Sequence, residues 1–149
     1  MEFKELKDVD LELLKKIVVI EEEAFEGNGN VDLWILKALI RYGKVFVLEE
    51  AGEIVSIAEY MQVMDKKEVF LYGLSTRKRY RHRGWAKKIM KESEEYLKKC
   101  GYEVISLTVD PNNDIAIDMY KKLGFEIKEF QENEYGMGVH RYLMKKVII

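Results

Sequence analysis

Between Tyr80 and Met90 the chain reads YRHRGWAKKIM, which sets Arg81, His82, Arg83, Lys87 and Lys88 around Gly84. A strand-like run, EVFLYGLST, precedes this stretch and a helical pattern follows it. A strand that enters a helix through a glycine loop directs unpaired backbone N–H groups and the positive end of the helix dipole at one point. Anions bind at such points. Gly84 permits close approach to the backbone, Ala86 keeps its position small, and Arg81, Arg83 and Lys87 add charge-assisted hydrogen bonds. A pyrophosphate fits this set better than a lone carboxylate.

The positive charge is local. Residues 1 to 70 carry 9 Lys or Arg against 16 Asp or Glu, residues 71 to 149 carry 16 against 11, and Arg77 to Lys91 holds eight Lys or Arg with no acid. With a formal charge of −2 and a pI near 5.8, this is a local positive site on an otherwise acidic surface, which argues against a general nucleic-acid coat. The 149 residues, 48% hydrophobic, suffice for one compact domain with a substantial core. Cys100 has no partner cysteine and reads as a packed thiol at a helix end before Gly101, and no Cys/His spacing points to zinc or another metal. No apolar run approaches the roughly 18 residues of a membrane span, and the N-terminal MEFKELKDVD is not signal-like, so a cytoplasmic chain is expected.

The elements that position the loop follow from periodicity. Strands are predicted at 2–6, 44–49, 54–63, 68–76, 103–109, 125–131 and 138–147, and helices at 10–24, 31–41, 84–99 and 114–122. This order is mixed α/β. The first helix carries Leu11, Leu14, Ile17, Val18 and Ile20 on an apolar stripe, and EEEAFEGNGN follows as an acidic exit and an exposed break. Gly52 turns a hairpin between the second and third strands.

LYGLSTRKRYRHRGWAKKIM resembles the acetyl-CoA signature of the GNAT superfamily of N-acetyltransferases, Arg/Gln-x-x-Gly-x-Gly/Ala, in Arg81, Gly84 and Ala86. The match departs from common family usage at Lys78, often Pro, at His82, often Gly, and at Trp85, often a small aliphatic residue. A second stretch, ISLTVDPNNDIAIDMYKKLGFEI, resembles the other half of the signature in Asn113, Ala116, Tyr120, Gly124 and Phe125. The resemblance implies a GNAT fold, a mixed and mostly antiparallel twisted sheet of about seven strands with about four helices. Its parallel central strands would splay to hold the cofactor, with Gly73 suited to a bulge. It implies that amides from His82 through Arg83, Gly84, Trp85 and Ala86 to Lys87 hold the pyrophosphate, and that the strand Leu74, Ser75 and Thr76 lies along the pantetheine arm, paired through the main chain of Leu74 and Thr76. Asn113 would cap its helix or contact the cofactor.

By spacing alone Tyr120 is an inward tyrosine on the stripe of Ala116 and Leu123. The family's matching tyrosine faces the cofactor sulfur, which implies that Tyr120 protonates the departing thiolate. The implied reaction is direct attack by an amine on the thioester, and an amine of reference pKa about 10.4 must first lose a proton. Glu68, through a water, is the leading base, with Glu59 and Tyr72 as alternatives. The acids Glu21, Glu22, Glu23, Glu26 and Asp32 would lie by resemblance near the acceptor mouth and suit a cationic amine. The tail ENEYGMGVHRYLMKK, with Tyr135, Gly136 and Gly138 at its turn, looks like the hairpin of relatives that acetylate protein N-termini; lysine and small-molecule amines remain open. Acetyl-CoA and an amine are thus the expected partners of a monomer or homodimer, without nucleic acid, membrane or metal. The competing class is a binding module, either an acetyl-CoA sensor without turnover or a nucleic-acid binder using Arg77–Lys91.

Overall fold

The computed structural model describes residues 1–25 and 31–149; Glu26 and the GNGN segment of the expected break lie outside the described residues. In chain order the elements are β1 (Glu2–Glu5), α1 (Leu11–Phe25), α2 (Leu33–Tyr42), β2 (Lys44–Glu50), β3 (Glu53–Val63), β4 (Glu68–Thr76), α3 (Trp85–Lys99), β5 (Val104–Val109), α4 (Asp114–Lys122), β6 (Glu126–Gln131) and β7 (Arg141–Val147). A 3₁₀ turn at Lys78–Tyr80, which the sequence pattern does not announce, leads from β4 toward α3. The strands form a seven-stranded sheet in the order β1-β2-β3-β4-β5-β7-β6. The pairs β1–β2, β2–β3, β5–β7 and β6–β7 are antiparallel, and β4 runs parallel to β5 with Glu68–Leu71 opposite Val104–Leu107. Among the described residues this is a mixed, mostly antiparallel seven-stranded sheet with four α-helices, as the resemblance implied.

The chain divides into two compact units, Met1–Met61 with Tyr72–Glu95, and Gln62–Leu71 with Tyr96–Ile149. In the first, Leu14, Ile17 and Ile20 of α1, Leu36, Leu39 and Ile40 of α2, and Val45, Val47 and Ile57 of the strands share one core. Each buried Val, Leu or Ile stabilises the fold by about 1.5–3 kcal/mol relative to exposure. Asp32 caps α2 by accepting the Ile35 N–H at 2.9 Å. Phe46 stacks on Phe3 and meets Tyr60 edge-on, while the Tyr60 hydroxyl reaches Met90 Sδ of α3 at 3.6 Å.

In the second unit Ile105 and Leu107 of β5 are buried, and Leu107 stands opposite the buried Met144 of β7. The final strand begins at Arg141 instead of 138. Gly138 sits at φ +77°, and the Val139 N–H closes a turn onto the Gly136 carbonyl at 2.9 Å, so the backbone there cannot yet run extended. Cys100 corrects another expectation, for it is exposed. Its N–H reaches the carbonyls of both Tyr96 and Leu97 at 3.1 Å, and this tighter closing turn takes it off the buried stripe.

Candidate functional site

The loop between the 3₁₀ turn and α3 alternates ordinary and left-handed backbone, with His82 at φ +63° and Gly84 at φ +82°. That conformation is why glycine is favoured where His82 stands. The N–H groups of residues 82 to 87 find no acceptor among the described residues; the first helical bond of α3 is Lys88 N–H to the Gly84 carbonyl at 3.1 Å. A Cβ built on Gly84 meets nothing within 4 Å, so the space over this backbone is open. Free donors, open approach and a helix N-terminus together fit a pyrophosphate. The indole N–H of half-buried Trp85 is also without an acceptor among the described residues.

The arginines divide their duties. Arg81, read from sequence as an anion ligand, donates from Nε to the Thr76 carbonyl and from Nη2 to the Ala24 carbonyl, both at 3.2 Å. It ties the loop to the C-terminal end of α1. Arg77 and Arg79 pair with Glu53, and Lys88 pairs with Glu92 at 2.9 Å. Much of the Arg77–Lys91 charge is thus answered within the chain. Arg83 lies over the Tyr80 ring at 5.9 Å and remains exposed, as does Lys87.

On the same unit, Leu74 and Thr76 of β4 are half-buried and Ser75 is buried. The Thr76 hydroxyl is hydrogen-bonded to Ser56 at 2.8 Å, and Ser75 Oγ donates to Glu21 Oε1 at 3.2 Å. Glu21 and Glu59 are both 0% exposed. Burial lifts the Glu21 carboxyl from about 4.5 to about 7, against the opposing pull of the neighbouring Glu59 and of the Ser75 hydrogen bond. Burial also pushes Glu59 well above the usual carboxylate range, reinforced by the charge of the neighbouring Glu21. Gly73 makes room: a Cβ there would lie 2.5 Å from Glu59 Oε1. Sequence reading grouped Glu21 with the exposed Glu22 and Glu23. The signal it overlooked is that position 21 continues the buried stripe of Leu14 and Ile17. Tyr72, an alternative base, is 40% exposed on the same strand.

The second unit holds the other expected residues. Asn113 Oδ1 accepts the Ala116 N–H at 3.1 Å, so the capping role is realised. Tyr120 is 8% exposed and meets Phe125 edge-on at 5.8 Å. Its hydroxyl bonds to no described residue, and burial pushes its pKa up to about 12. Glu68 is nearly buried and engaged, accepting from Ser106 Oγ at 3.0 Å and from Lys145 Nζ at 3.3 Å. Among the described residues no group of three or more His, Cys, Asp or Glu could hold a metal ion, and no helix is long and apolar enough to cross a membrane.

Comparison with known proteins places these features in context. Residues 13–125 match the model of the acetyltransferase (GNAT) family. An uncharacterized N-acetyltransferase of Methanocaldococcus jannaschii is 31% identical over 103 residues, which cover 64% of this chain and 46% of that protein, so the match spans less than half of the relative. Among solved structures, an aminoglycoside 6'-N-acetyltransferase complexed with coenzyme A superposes with a TM-score of 0.86 at 14% identity, covering 100% of this chain and 98% of that one. Ard1 from Thermoplasma volcanium gives 0.84 at 19% identity, with 99% and 98% covered. The ribosomal-protein-S18-alanine N-acetyltransferase of Escherichia coli gives 0.82 at 20% identity, with 99% and 94% covered. With residues 13–125, most of this chain, matched by the family model and both halves of the signature present, the chain belongs to the GNAT acetyltransferase family.

Proposed function

We propose that this chain transfers an acetyl group from acetyl-CoA to a primary amine by direct attack in a ternary complex. The observation that carries this reading is the loop at the start of α3, where the N–H groups of residues 82 to 87 lack acceptors among the described residues and the space over Gly84 is open. When bound, acetyl-CoA supplies the thioester. The loop amides would hold the pyrophosphate, and the main chain of Leu74 and Thr76 would align the pantetheine arm. The Thr76 carbonyl already accepts from Arg81, which leaves one of its two lone pairs for the arm.

Tyr120 is the proposed acid. A phenol lifted to about 12 is fully protonated at neutral pH and has a proton to give to the departing sulfur. An amine acceptor arrives as ammonium and needs a base. Of the two carboxylates considered, Glu68 already accepts from Ser106 and Lys145, whereas both oxygens of Glu59 lack a donor among the described residues. Glu68 is thus the more engaged of the two, while burial disfavours an ionised Glu59 and argues against its accepting the proton by itself. The acceptor class covers protein N-termini, lysine and small-molecule amines, and the named relatives include both protein and aminoglycoside acetyltransferases.

Two measurements test the reading. Acetyl-CoA at a hundredfold excess over its Kd is expected to stabilise the fold by about 2.7 kcal/mol in thermal unfolding. A screen of amines and N-terminal peptides, followed by free CoA release, is expected to return at least one acceptor. Absence of any thermal shift would remove the cofactor site; a shift without CoA release from any amine would make the chain a sensor.

A further inference from the structure

Two carboxyl groups are sealed within the first unit with no cationic partner among the described residues. Glu21 comes from α1 and Glu59 from β3, and each is 0% exposed. Glu21 Oε1 accepts the Ser75 hydroxyl from β4 at 3.2 Å, while Glu21 Oε2 and both Glu59 oxygens lack a donor among the described residues. Arg81, which follows β4, directs its guanidinium to the Thr76 and Ala24 carbonyls and not to either acid. Two ionised carboxylates in this setting would each lose hydration and repel the other. The backbone is nonetheless cleared for them, since any side chain at position 73 would collide with Glu59 Oε1. One proton resolves the conflict: a protonated Glu59 donates to an ionised Glu21, which also keeps the bond from Ser75.

We propose that Glu21 and Glu59 hold a single proton between them and that this pair, reached through the Ser75 hydroxyl, accepts the proton that the acceptor ammonium must lose. The proposal rests on the transferase reading above. Ser75, 5% exposed, is the member closest to the surface. It takes a proton from the ammonium as its own passes to Glu21, so the pair goes from one proton and a charge of −1 to two protons and none. The freed nitrogen lone pair forms the C–N bond to the acetyl carbon and the C–S bond breaks, its electron pair leaving with sulfur. The nitrogen loses two protons in all. The first goes to the pair, the second offsets the one Tyr120 delivers to sulfur, and the pair then releases its extra proton to solvent. A group that titrates near pH 7, as burial makes Glu21 do, is matched to this task.

The test joins a titration of the intact chain labelled with ¹³C at the glutamate carboxyls to single-turnover CoA release across pH. The variants are Glu21→Gln/Glu59→Gln, Ser75→Ala and, as a control for lost charge, the exposed Glu12→Gln on α1. Two carboxyl signals are expected to stay protonated below pH 6, one of them ionising near 7, and both should be missing from the double variant. The double variant is expected to be about 10²-fold slower at pH 7 and to recover toward the amine's own pKa, where free amine is plentiful. Ser75→Ala is expected to slow the neutral-pH rate with both signals retained, and Glu12→Gln to leave the profile as in the parent. Ordinary titration of all the carboxyls near 4.5 overturns the shared proton. An unchanged pH–rate profile in the double variant or in Ser75→Ala overturns the proton-accepting role. If the double variant does not fold, the parent titration and the Ser75→Ala profile decide. A parent that binds acetyl-CoA yet acetylates no amine defeats the transferase reading and the pair's role with it, while the titration still judges the shared proton.

Discussion

Gly73 and Glu59 show how the lack of one side chain permits the burial of another. Gly73→Ala places a methyl group against Glu59 Oε1 and is expected to destabilise the fold by about 1–3 kcal/mol. The same change in a Glu59→Ala background should be nearly neutral, because the colliding atom is gone. A double-mutant cycle in denaturant unfolding measures this coupling, and equal effects in both backgrounds would assign Gly73 a backbone role instead. Tyr120 allows a cleaner separation of chemistry from packing. Tyr120→Phe keeps the ring against Phe125 and removes a hydroxyl that bonds to no described residue, so stability should change little. If the hydroxyl protonates sulfur, single-turnover acetyl transfer should slow by roughly 10²–10⁴-fold with acetyl-CoA affinity unchanged. A fully active Phe variant would refute the assignment.

At the scale of elements, the β4–loop–α3 unit makes its own claim. Because Gly84 is at φ +82° with nothing within 4 Å of a built Cβ, a side chain there strains the turn but meets no protein atom. Gly84→Val is therefore expected to retain the fold at a modest loss of stability and to lose the acetyl-CoA thermal shift, since the side chain occupies the approach to the free amides. An undiminished shift would place the cofactor elsewhere. The glycine, the helix start and the Asn113 cap were legible in sequence because each depends on neighbours within a few residues. Arg81 was only half legible. Its place in the motif was plain, but its partner Ala24 lies 57 residues away, on a helix whose end no local pattern brings to the loop.

For the molecule as a whole, the buried carboxyl pair ties stability to pH. The folded value for Glu21, about 7, lies above its ordinary 4.5, so the folded chain binds more protons than the unfolded one between these values. The resulting contribution is fully present below pH 4.5 and is lost as pH rises through 7. At about 1.4 kcal/mol per pH unit the loss is on the order of 3 kcal/mol, and Glu59, whose carboxyl burial also raises, contributes in the same direction. Urea unfolding at pH 5 and pH 8 should show the parent losing stability relative to Glu21→Gln/Glu59→Gln over this interval. Parallel behaviour of the two proteins would mean that the pair carries no excess proton.

The sequence by itself determined the alternation of strands and helices, the glycine loop with its free amides, and the two motif halves that mark the family. These follow from periodicity, turn chemistry and capping, which act over a turn or two of chain. Only the tertiary structure decided which acids are available. Glu68 stood in the sequence as the leading base and is found engaged by Ser106, 38 positions away, and Lys145, 77 positions away. Glu21 looked like one of an exposed run and is buried beside Ser75, 54 positions on. A carboxyl's protonation is set by its desolvation and by the donors around it, and those donors come from chain segments that meet only when the sheet and helices pack.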